Sequence, residues 1–425
     1  MNGFTYVFLI FLTVSVLTQL WLDRRHIRHI QQHRARVPEA FAGLISLEAH
    51  QKAADYTTAK TRLGVKELLY GAALLLLWTL GGGLDSLDRM WTALEWDPIA
   101  TGVGFILSVS VLMMVIDLPF SIYRTFKIEQ DFGFNRSTPA LFFGDLLKQV
   151  LLSLIIGIPL LYAVLWLMGN AGSMWWLFVW IVWMGFSLLM LWAYPAVIAP
   201  LFNKFQPLED ETLRRRIEAL LARCGFKSNG IFVMDGSRRS SHGNAYFTGL
   251  GSNKRIVFFD TLLGSLTHDE TEAVLAHELG HFKHRHVLKR MIIMAATSLC
   301  ALGLLGWLME QEWFYQGLGI STPSLHTALM LFMLAAPVFT FFLSPVMSLL
   351  SRKHEFEADA FAADQSAAAH LISALVKLYK DNASTLTPDP LYSGFHDSHP
   401  PAPVRIAHLQ RLTQSAAPPL ADVKS

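Results

Sequence analysis

Two histidines four residues apart, with a glutamate beside the first, are the residues of this chain best suited to chemistry. They are His277 and His281 in the stretch HELGHFKHRH, and Glu278 follows the first of them. This spacing puts both imidazoles on one face of a helix, where they can bind one zinc ion. Glu278 is rotated about 100° from His277 around the helix axis, so it can reach a water molecule on the metal more easily than the metal itself. Because zinc lowers the pKa of that water to about 7, the pattern indicates amide hydrolysis with Glu278 as the base.

A catalytic zinc usually takes a third protein ligand and keeps one position open. His284 and His286 are close in sequence, but neither continues the helix face of the HExxH pair, and we expect both to be solvated or to lie at the membrane interface. Glu355 is better placed, because two predicted membrane helices bring the chain back to the same side before it. Asp359, one turn later, could hold the distal nitrogen of a zinc-bound histidine. A solvated acidic helix face is the alternative interpretation of this pair.

The elements that must position these residues are a helix and a hairpin. Thr267 and Glu270 have the spacing of a capping box, which predicts the start of the helix that carries the HExxH motif. Gly280 is expected to leave room at the metal. The stretches 244–250 and 255–263 have the composition of strands and are joined by a short turn-like segment, so they predict a β-hairpin just before that helix.

The remainder of the chain is unusually apolar. Of its 425 residues, 52% are hydrophobic and 16% are charged, whereas soluble proteins carry roughly 25% charged residues. The net charge of +2 gives no reason to expect a nucleic-acid partner. Apolar runs of about 20 residues are typical of membrane helices. Seven such runs are present, at 4–22, 67–84, 102–121, 147–168, 174–198, 287–309 and 325–346.

These runs divide the chain into membrane and soluble parts. Residues 1–198 hold five predicted membrane helices and 287–346 hold two more; 199–286 predict an α+β segment, 347–414 a helical segment, and 415–425 a disordered tail. Lysine and arginine concentrate in alternate loops, which places the amino terminus outside and both soluble segments in the cytoplasm. The predicted fold is therefore mostly α, a polytopic membrane protein of about seven transmembrane helices with a cytoplasmic α+β zinc-metalloprotease domain.

Several motifs together resemble one family of membrane proteases. HELGH followed by SRxxExxAD resembles the gluzincin-type, type I CAAX prenyl endopeptidases, and the resemblance covers nearly the whole chain after the first span. Further matching stretches are LPFSIYRTFKIEQDFGFN (118–135), PLFNKFQPL (200–208), SSHGNAYFTGLGSNKRIVFFDTLL (240–263), SRKHEFEADAFA (351–362) and SHPPAPVR (398–405). The resemblance implies a water-filled intramembrane chamber and removal of the last three residues from carboxyl-terminal prenylated CAAX proteins.

The resemblance also implies roles for individual residues. It implies that one Zn²⁺ per chain is held by His277, His281 and Glu355, and that Glu278 is first the general base and then the proton donor to the leaving amine.

Outside that centre, the resemblance implies that His399 stabilises the oxyanion or holds the substrate, and that Arg405 organises the carboxylates around the site. It implies that Asn244, Ala245 and Tyr246 pair with an extended substrate, as in strand addition to a sheet edge.

Three other functions are compatible with part of this pattern. A quality-control zinc protease that degrades misfolded membrane proteins shares HExxH, but it usually has fewer spans. An intramembrane-cleaving metalloprotease would carry HExxH inside an apolar span, and here the motif lies in a charged segment. A transporter using the histidines structurally would often show related halves, and none are evident.

The expected partners are a lipid-modified peptide or protein and membrane lipid; the sequence does not indicate an oligomeric state. The membrane would be the plasma or inner membrane in a bacterium and the endoplasmic reticulum in a eukaryote.

Overall fold

The computed structural model describes residues 1–248 and 255–416, and these form a mostly helical protein with one small sheet. The amino-terminal helices are α1 Gly3–His33, α2 Leu47–Trp78, α3 Gly83–Thr92, α4 Pro98–Tyr123, α5 Pro139–Asn170, α6 Trp175–Ala193, α7 Ala199–Phe202 and α8 Glu211–Cys224. They are followed by α9 Asp260–Leu263, α10 His268–Lys283, α11 His286–Leu308, α12 Glu312–Gly317, α13 Leu325–Thr340, α14 Ser344–Gln365, α15 Ala368–Asp381, α16 Pro390–His396 and α17 Ala402–Ala416. The strands are β1 Phe205–Pro207, β2 Ile231–Met234, β3 Ala245–Thr248 and β4 Arg255–Phe259.

Six helical segments of the described residues are long and apolar enough to cross a membrane. They are Gly3–His33, Pro98–Glu129, Pro139–Asn170, Gly172–Phe202, His286–Leu308 and Leu325–Gln365. The predicted run 67–84 is the exception, because it is not one straight helix. It spans a 47° bend between α2 and α3, at a glycine-rich break where Gly82 has a φ of +75°. The prediction of a mostly helical, multi-pass membrane protein is confirmed, with seven spans when the bent pair is counted as one.

The soluble sheet has the strand order β1-β2-β4-β3, so β3 lies at one edge of the described sheet. β3 and β4 pair antiparallel, with Ala245 opposite Phe258 and Tyr246 opposite Val257. This pairing confirms the predicted hairpin, although its connecting segment lies outside the described residues. β4 then leads through α9 into α10, which is how the sheet positions the HExxH helix.

α10 is held between α14, α15 and α8. Its buried face contains Leu275, Ala276 and Leu279, which share a hydrophobic core with Ala362 of α14 and Leu371 of α15. Burying apolar side chains on this scale is the main source of stability for such a domain. Because α14 continues α13 in one segment of 41 residues, the last membrane helix runs directly to the HExxH helix.

The predicted capping box begins α10. The Thr267 side chain accepts from the Glu270 backbone, and the Glu270 carboxylate accepts from the Thr267 backbone at 2.7 Å. Glu270 is 4% exposed and also accepts from Lys377 at 2.7 Å and from Ser373 at 2.6 Å, both on α15. One carboxylate therefore caps the HExxH helix and fixes it to its neighbour. The predicted tail, 415–425, lies outside the described residues from 417 onward.

The Glu270 carboxylate should make the stability of the soluble domain depend on pH. Burial alone would raise the pKa of Glu270, but hydrogen bonds from Lys377, Ser373 and Thr267 outweigh it and lower the pKa from 4.5 to about 2. A carboxylate with a depressed folded-state pKa stabilises the protein fully at pH values above its unfolded-state pKa, and this stabilisation is lost as the pH falls through the folded-state pKa.

We expect Glu270→Ala to lower the free energy of unfolding by about 2–3 kcal/mol at pH 7. In thermal unfolding scans, the difference between wild type and the variant should shrink between pH 5 and pH 3. The control is the solvent-exposed Glu39, since Glu39→Ala should leave the thermal midpoint unchanged. If Glu270→Ala lowers the thermal midpoint by the same amount at pH 5 and at pH 3, the assignment is contradicted.

Candidate metal centre

Side chains from α10 and α14 converge on one point. The Nε2 atoms of His277 and His281 lie 3.3 Å apart; that of His277 lies 3.4 Å from Oε2 of Glu355, and that of His281 lies 3.4 Å from Oε1. Glu355 is fully buried and His277 nearly so. The chain returns to α10 after the α11–α13 hairpin, which brings Glu355 against the two histidines, as the sequence led us to expect.

The spacing of these atoms fits a tetrahedral zinc ion. Ligand atoms about 2.1 Å from such an ion lie about 3.4 Å from each other, close to the distances between His277, His281 and Glu355. The Glu355 oxygens are buried and accept no well-directed hydrogen bond within the described residues, despite several close nitrogen atoms. The nearest permanently positive group to this carboxylate is Arg405, with Nη1 3.6 Å away, and a cation held between the two imidazoles and the carboxylate would compensate its buried charge further. The donor set of two imidazoles and one carboxylate is the kind that zinc takes in hydrolytic sites.

A second layer of charge holds His277. Its Nδ1 lies 2.9 Å from Asp359, whose carboxylate receives two hydrogen bonds from Arg405, at 2.5 and 2.9 Å. Burial and the Arg405 guanidinium lower the pKa of His277, but the neighbouring carboxylates of Asp359 and Glu355 outweigh them and raise it to about 9. The carboxylates therefore favour positive charge at this imidazole. Since metal and proton compete for Nε2, metal binding here should weaken as the pH falls.

Glu278 is positioned differently from its neighbours. It is partly exposed on α10, and its carboxylate makes no hydrogen bond or ion pair with any residue in the described ranges. A carboxylate beside a metal centre that is not committed to a structural contact can accept a proton. The sequence predicts that Glu278 is the general base, and this role stays a prediction.

His399 lies on the open side of the centre. It precedes α17 and is largely exposed, and its Nδ1 is 2.8 Å from Glu355. Arg352 of α14 donates to the backbone oxygens of Ser393 and, at 3.2 Å, Asp397, so the segment before His399 is fixed to the same helix that carries Glu355. Arg352 was not singled out from the sequence.

Comparison with known proteins identifies the family. A family model described as the five-membrane-helix N-terminal part of CAAX prenyl proteases matches residues 26–204, and the model of peptidase family M48 matches residues 207–413. The chain is 35% identical to a CAAX prenyl protease 1 homolog of Oryza sativa subsp. japonica, over 95% of this chain and 96% of that protein. The chain belongs to the CAAX prenyl proteases of peptidase family M48.

Two further relatives show the same extent of similarity. The CAAX prenyl protease 1 of Saccharomyces cerevisiae is 34% identical over 89% of each chain. A crystal structure of S. mikatae Ste24p superposes with a TM-score of 0.90 at 32% identity, covering 96% of this chain and 99% of that one. Membership of this family confirms the predicted class, a membrane metalloendopeptidase, and implies that the protein uses a metal.

Of the three residues expected to bind substrate, Ala245 and Tyr246 lie on β3 and Asn244 directly precedes it; within the described residues none of them forms a hydrogen bond or ion pair with His277, His281 or Glu355. Asn244 is exposed, and its Oδ1 accepts from the Ala245 N–H at 2.8 Å. The half-buried Tyr246 packs edge-on against Phe259 of β4. The connection to the metal centre runs through Phe247, whose ring packs 5.1 Å from that of Phe282, the residue after His281.

The expectation that His286 is solvated or interfacial is wrong. His286 is 0% exposed, and its Nδ1 lies 2.9 Å from Nδ1 of His281. Arg285 adopts the left-handed conformation, with a φ of +56°, which ends the helical path of α10 and turns the next residue back toward His281. Helical periodicity cannot show this contact. His284 is exposed, as expected.

The role expected for Gly280 also needs correction. A Cβ at this position would lie 2.8 Å from the Cα of Ala358 and 3.1 Å from its backbone oxygen. The glycine therefore allows α14 to approach α10, and does not simply leave room at the metal. This close approach sets the distance between the HExxH histidines and Glu355.

Gly280→Ala should move α14 and weaken metal binding. Because the clash is with backbone, the neighbouring helix must shift, and we expect a cost of about 1–3 kcal/mol in unfolding free energy. Equilibrium zinc affinity, measured against a chelator, should fall at least tenfold. Gly264→Ala is the matched control, since a Cβ there meets only ordinary contacts at 3.5 Å or more. An unchanged zinc affinity in Gly280→Ala would show that the helix spacing does not control the metal site.

Proposed function

We propose that this protein is a zinc metalloendopeptidase that removes the last three residues from carboxyl-terminal prenylated CAAX proteins or peptides. The observation that carries the metal assignment is the convergence of His277, His281 and Glu355: the two Nε2 atoms lie 3.3 Å apart, and each lies 3.4 Å from a different carboxylate oxygen of Glu355. Bound zinc would supply a Lewis acid that activates water and polarises the scissile carbonyl. The CAAX assignment is supported by the names of the relatives.

The side chains around the metal site would transfer the proton, stabilise the oxyanion and orient His277. Glu278 would accept a proton from the attacking water and deliver it to the leaving amine. His399, exposed and beside Glu355, would donate a hydrogen bond to the developing oxyanion or hold the substrate. Asp359 and Arg405 would keep His277 oriented, as a carboxylate behind a zinc-bound histidine does.

The edge of β3 offers a place for an extended substrate. Phe259 donates to the Asn244 carbonyl at 3.0 Å. Antiparallel residue pairs alternate between hydrogen-bonded and non-hydrogen-bonded, so Tyr246 bonds toward β4 while the backbone groups of Ala245 and Phe247 point to the free edge. A peptide strand added there would pair with Ala245 and Phe247, and Asn244 lies beside the first of them.

Ala245→Pro tests strand addition. Proline at this edge position removes an outward N–H, which in the structure donates to Asn244 Oδ1 at 2.8 Å and which a substrate carbonyl would take over, without removing a bond to β4. We expect kcat/KM for a peptide to fall about tenfold, the value of one hydrogen bond of about 1.4 kcal/mol. Ala245→Ser, which keeps the N–H, should behave like wild type. Equal activity of both variants, with unchanged zinc content and thermal midpoint, would argue against substrate pairing at this edge.

Cavities beside the site support entry of a substrate from the membrane part. One cavity of about 760 Å³ is lined by His399 together with residues of α1, α2, α15 and α16. A second cavity of about 730 Å³ reaches the membrane helices α4 and α5, and Glu129 lines both. Together they support the proposed chamber, in which a substrate with a lipid tail and a peptide head could lie.

An ion pair between the first membrane helix and α16 supports a cytoplasmic active site. Arg25, in the arginine-rich carboxyl-terminal part of α1, forms an ion pair with Asp389 at the start of α16, at 2.8 Å. The basic end of the first span therefore lies on the side of the metal centre. Because basic loops favour the cytoplasmic side, we propose that catalysis occurs there.

The deciding experiment uses detergent-purified protein, a farnesylated CAAX peptide and its unprenylated twin, with products read by mass spectrometry. Zinc-dependent release of the last three residues, preferentially from the farnesylated peptide, is the expected result. Cleavage of both peptides at scattered positions would favour the quality-control protease instead. Zinc bound without cleavage of either peptide would reject the CAAX substrate.

A further inference from the structure

A second buried histidine lies directly behind the metal centre. His286 is completely buried, and its two ring nitrogens have separate partners: Nδ1 is 2.9 Å from Nδ1 of His281, and Nε2 is 2.8 Å from a carboxylate oxygen of Glu357. Glu357 lies on α14, two residues after Glu355. α14 therefore contributes one carboxylate to the centre itself and another to the layer behind it.

These contacts define one direction of hydrogen bonding. If the Nε2 lone pair of His281 is to face the metal, its proton must be on Nδ1, which then donates to Nδ1 of His286. His286 must accept at Nδ1, so its own proton is on Nε2, where it donates to Glu357. The arrangement requires both imidazoles to be neutral and leaves one tautomer for each of them.

The same cluster could be taken for another metal site, and its geometry argues against that. His286, His354 and Glu357 bring potential ligand atoms within 4.8 Å of one another. However, both nitrogens of His286 are already used, and its ring is stacked on that of His354 with centroids 4.0 Å apart and planes 14° from parallel. Stacked rings direct their in-plane lone pairs side by side and not toward a shared ion. The cluster is better suited to holding His281 than to binding a cation.

We propose that His286, held by Glu357, is a positioning residue that fixes the tautomer and ring orientation of His281 at the metal centre. The two zinc-binding histidines would then be supported differently, since His277 is held by Asp359 and Arg405, whereas His281 is held by a neutral imidazole. The left-handed turn at the exposed Arg285 is what makes this support possible. The inference rests on the proposed zinc site, and the experiment separates the two.

The expected result is a change in metal retention that depends on the acceptor at position 286. His286→Leu removes the acceptor, and we expect zinc to dissociate 10- to 100-fold faster into a chelator, the usual loss when such a partner of a metal ligand is removed. His286→Asn places an amide oxygen where it can accept from His281, and should recover most of the wild-type rate. Glu357→Gln keeps an acceptor for His286 and should have a smaller effect than Glu357→Ala.

The control is His284→Asn, an exposed histidine in the same turn, which should leave zinc release unchanged. Thermal midpoints of the chelator-treated variants identify general misfolding. If His286→Leu releases zinc at the wild-type rate, or if His286→Asn is as defective as His286→Leu in an equally stable protein, the proposal is overturned. If wild type itself binds no zinc, the proposed function fails first, which keeps the two failures distinct.

Discussion

Glu278→Gln should abolish peptide hydrolysis while zinc stays bound. The glutamine keeps the size and position of the side chain on α10 but cannot accept a proton. General base catalysis contributes roughly 10²–10⁴ in rate, so kcat should fall by about that factor with little change in KM. The proposed metal ligands are on other residues, and the Glu278 carboxylate makes no hydrogen bond or ion pair among the described residues that the change would break.

Three measurements check this result together: turnover of the farnesylated peptide, zinc per chain, and the thermal midpoint. Glu218→Gln, on the exposed face of α8, is the control for a neutralised surface carboxylate and should keep full turnover. Retention of more than a tenth of the wild-type kcat by a zinc-loaded Glu278→Gln protein would show that another group takes the proton. A protein that loses zinc as well would give Glu278 a place among the ligands.

The metal centre shows which parts of a site can be predicted from sequence. The HExxH pair could be found because four-residue spacing in a capped helix fixes the relative position of His277 and His281 without any tertiary information. Glu355 could be proposed only as a candidate, since its approach depends on how α13 and α14 return to α10. The order of the membrane helices shows only that Glu355 can return to the side of α10. The close packing of Ala358 against Gly280 then brings the Glu355 carboxylate next to His277 and His281.

His286 marks the limit of that reasoning. Its contact with His281 depends on one residue, Arg285, whose backbone adopts the left-handed conformation that residues other than glycine seldom adopt. A periodic pattern assumes a continuing helix, so it placed His286 on the wrong surface. The bend between α2 and α3 was missed for a related reason: hydropathy averages over the run 67–84 and does not detect the glycine break inside it.

Arg405→Met should produce the largest loss of stability. Arg405 is 7% exposed and donates twice to Asp359, which is 0% exposed, and its Nη1 lies 3.6 Å from the equally buried Glu355. Removing one partner of a buried ion pair leaves an uncompensated charge and costs about 3–5 kcal/mol. Here it leaves two carboxylates close together, so we expect a large drop in the thermal midpoint of the chelator-treated protein.

Zinc should rescue this variant more than it stabilises wild type. The metal brings positive charge to Glu355, and through His277 to the vicinity of Asp359, so part of the lost compensation returns on binding. Thermal midpoints with and without zinc should therefore differ more in Arg405→Met than in wild type.

The control is Arg405→Met combined with Asp359→Asn, which removes the uncompensated charge but keeps an acceptor for His277. The double variant should be more stable than the single one. If it is not, the instability of Arg405→Met comes from lost packing of α17 against α14, and the charge argument is wrong.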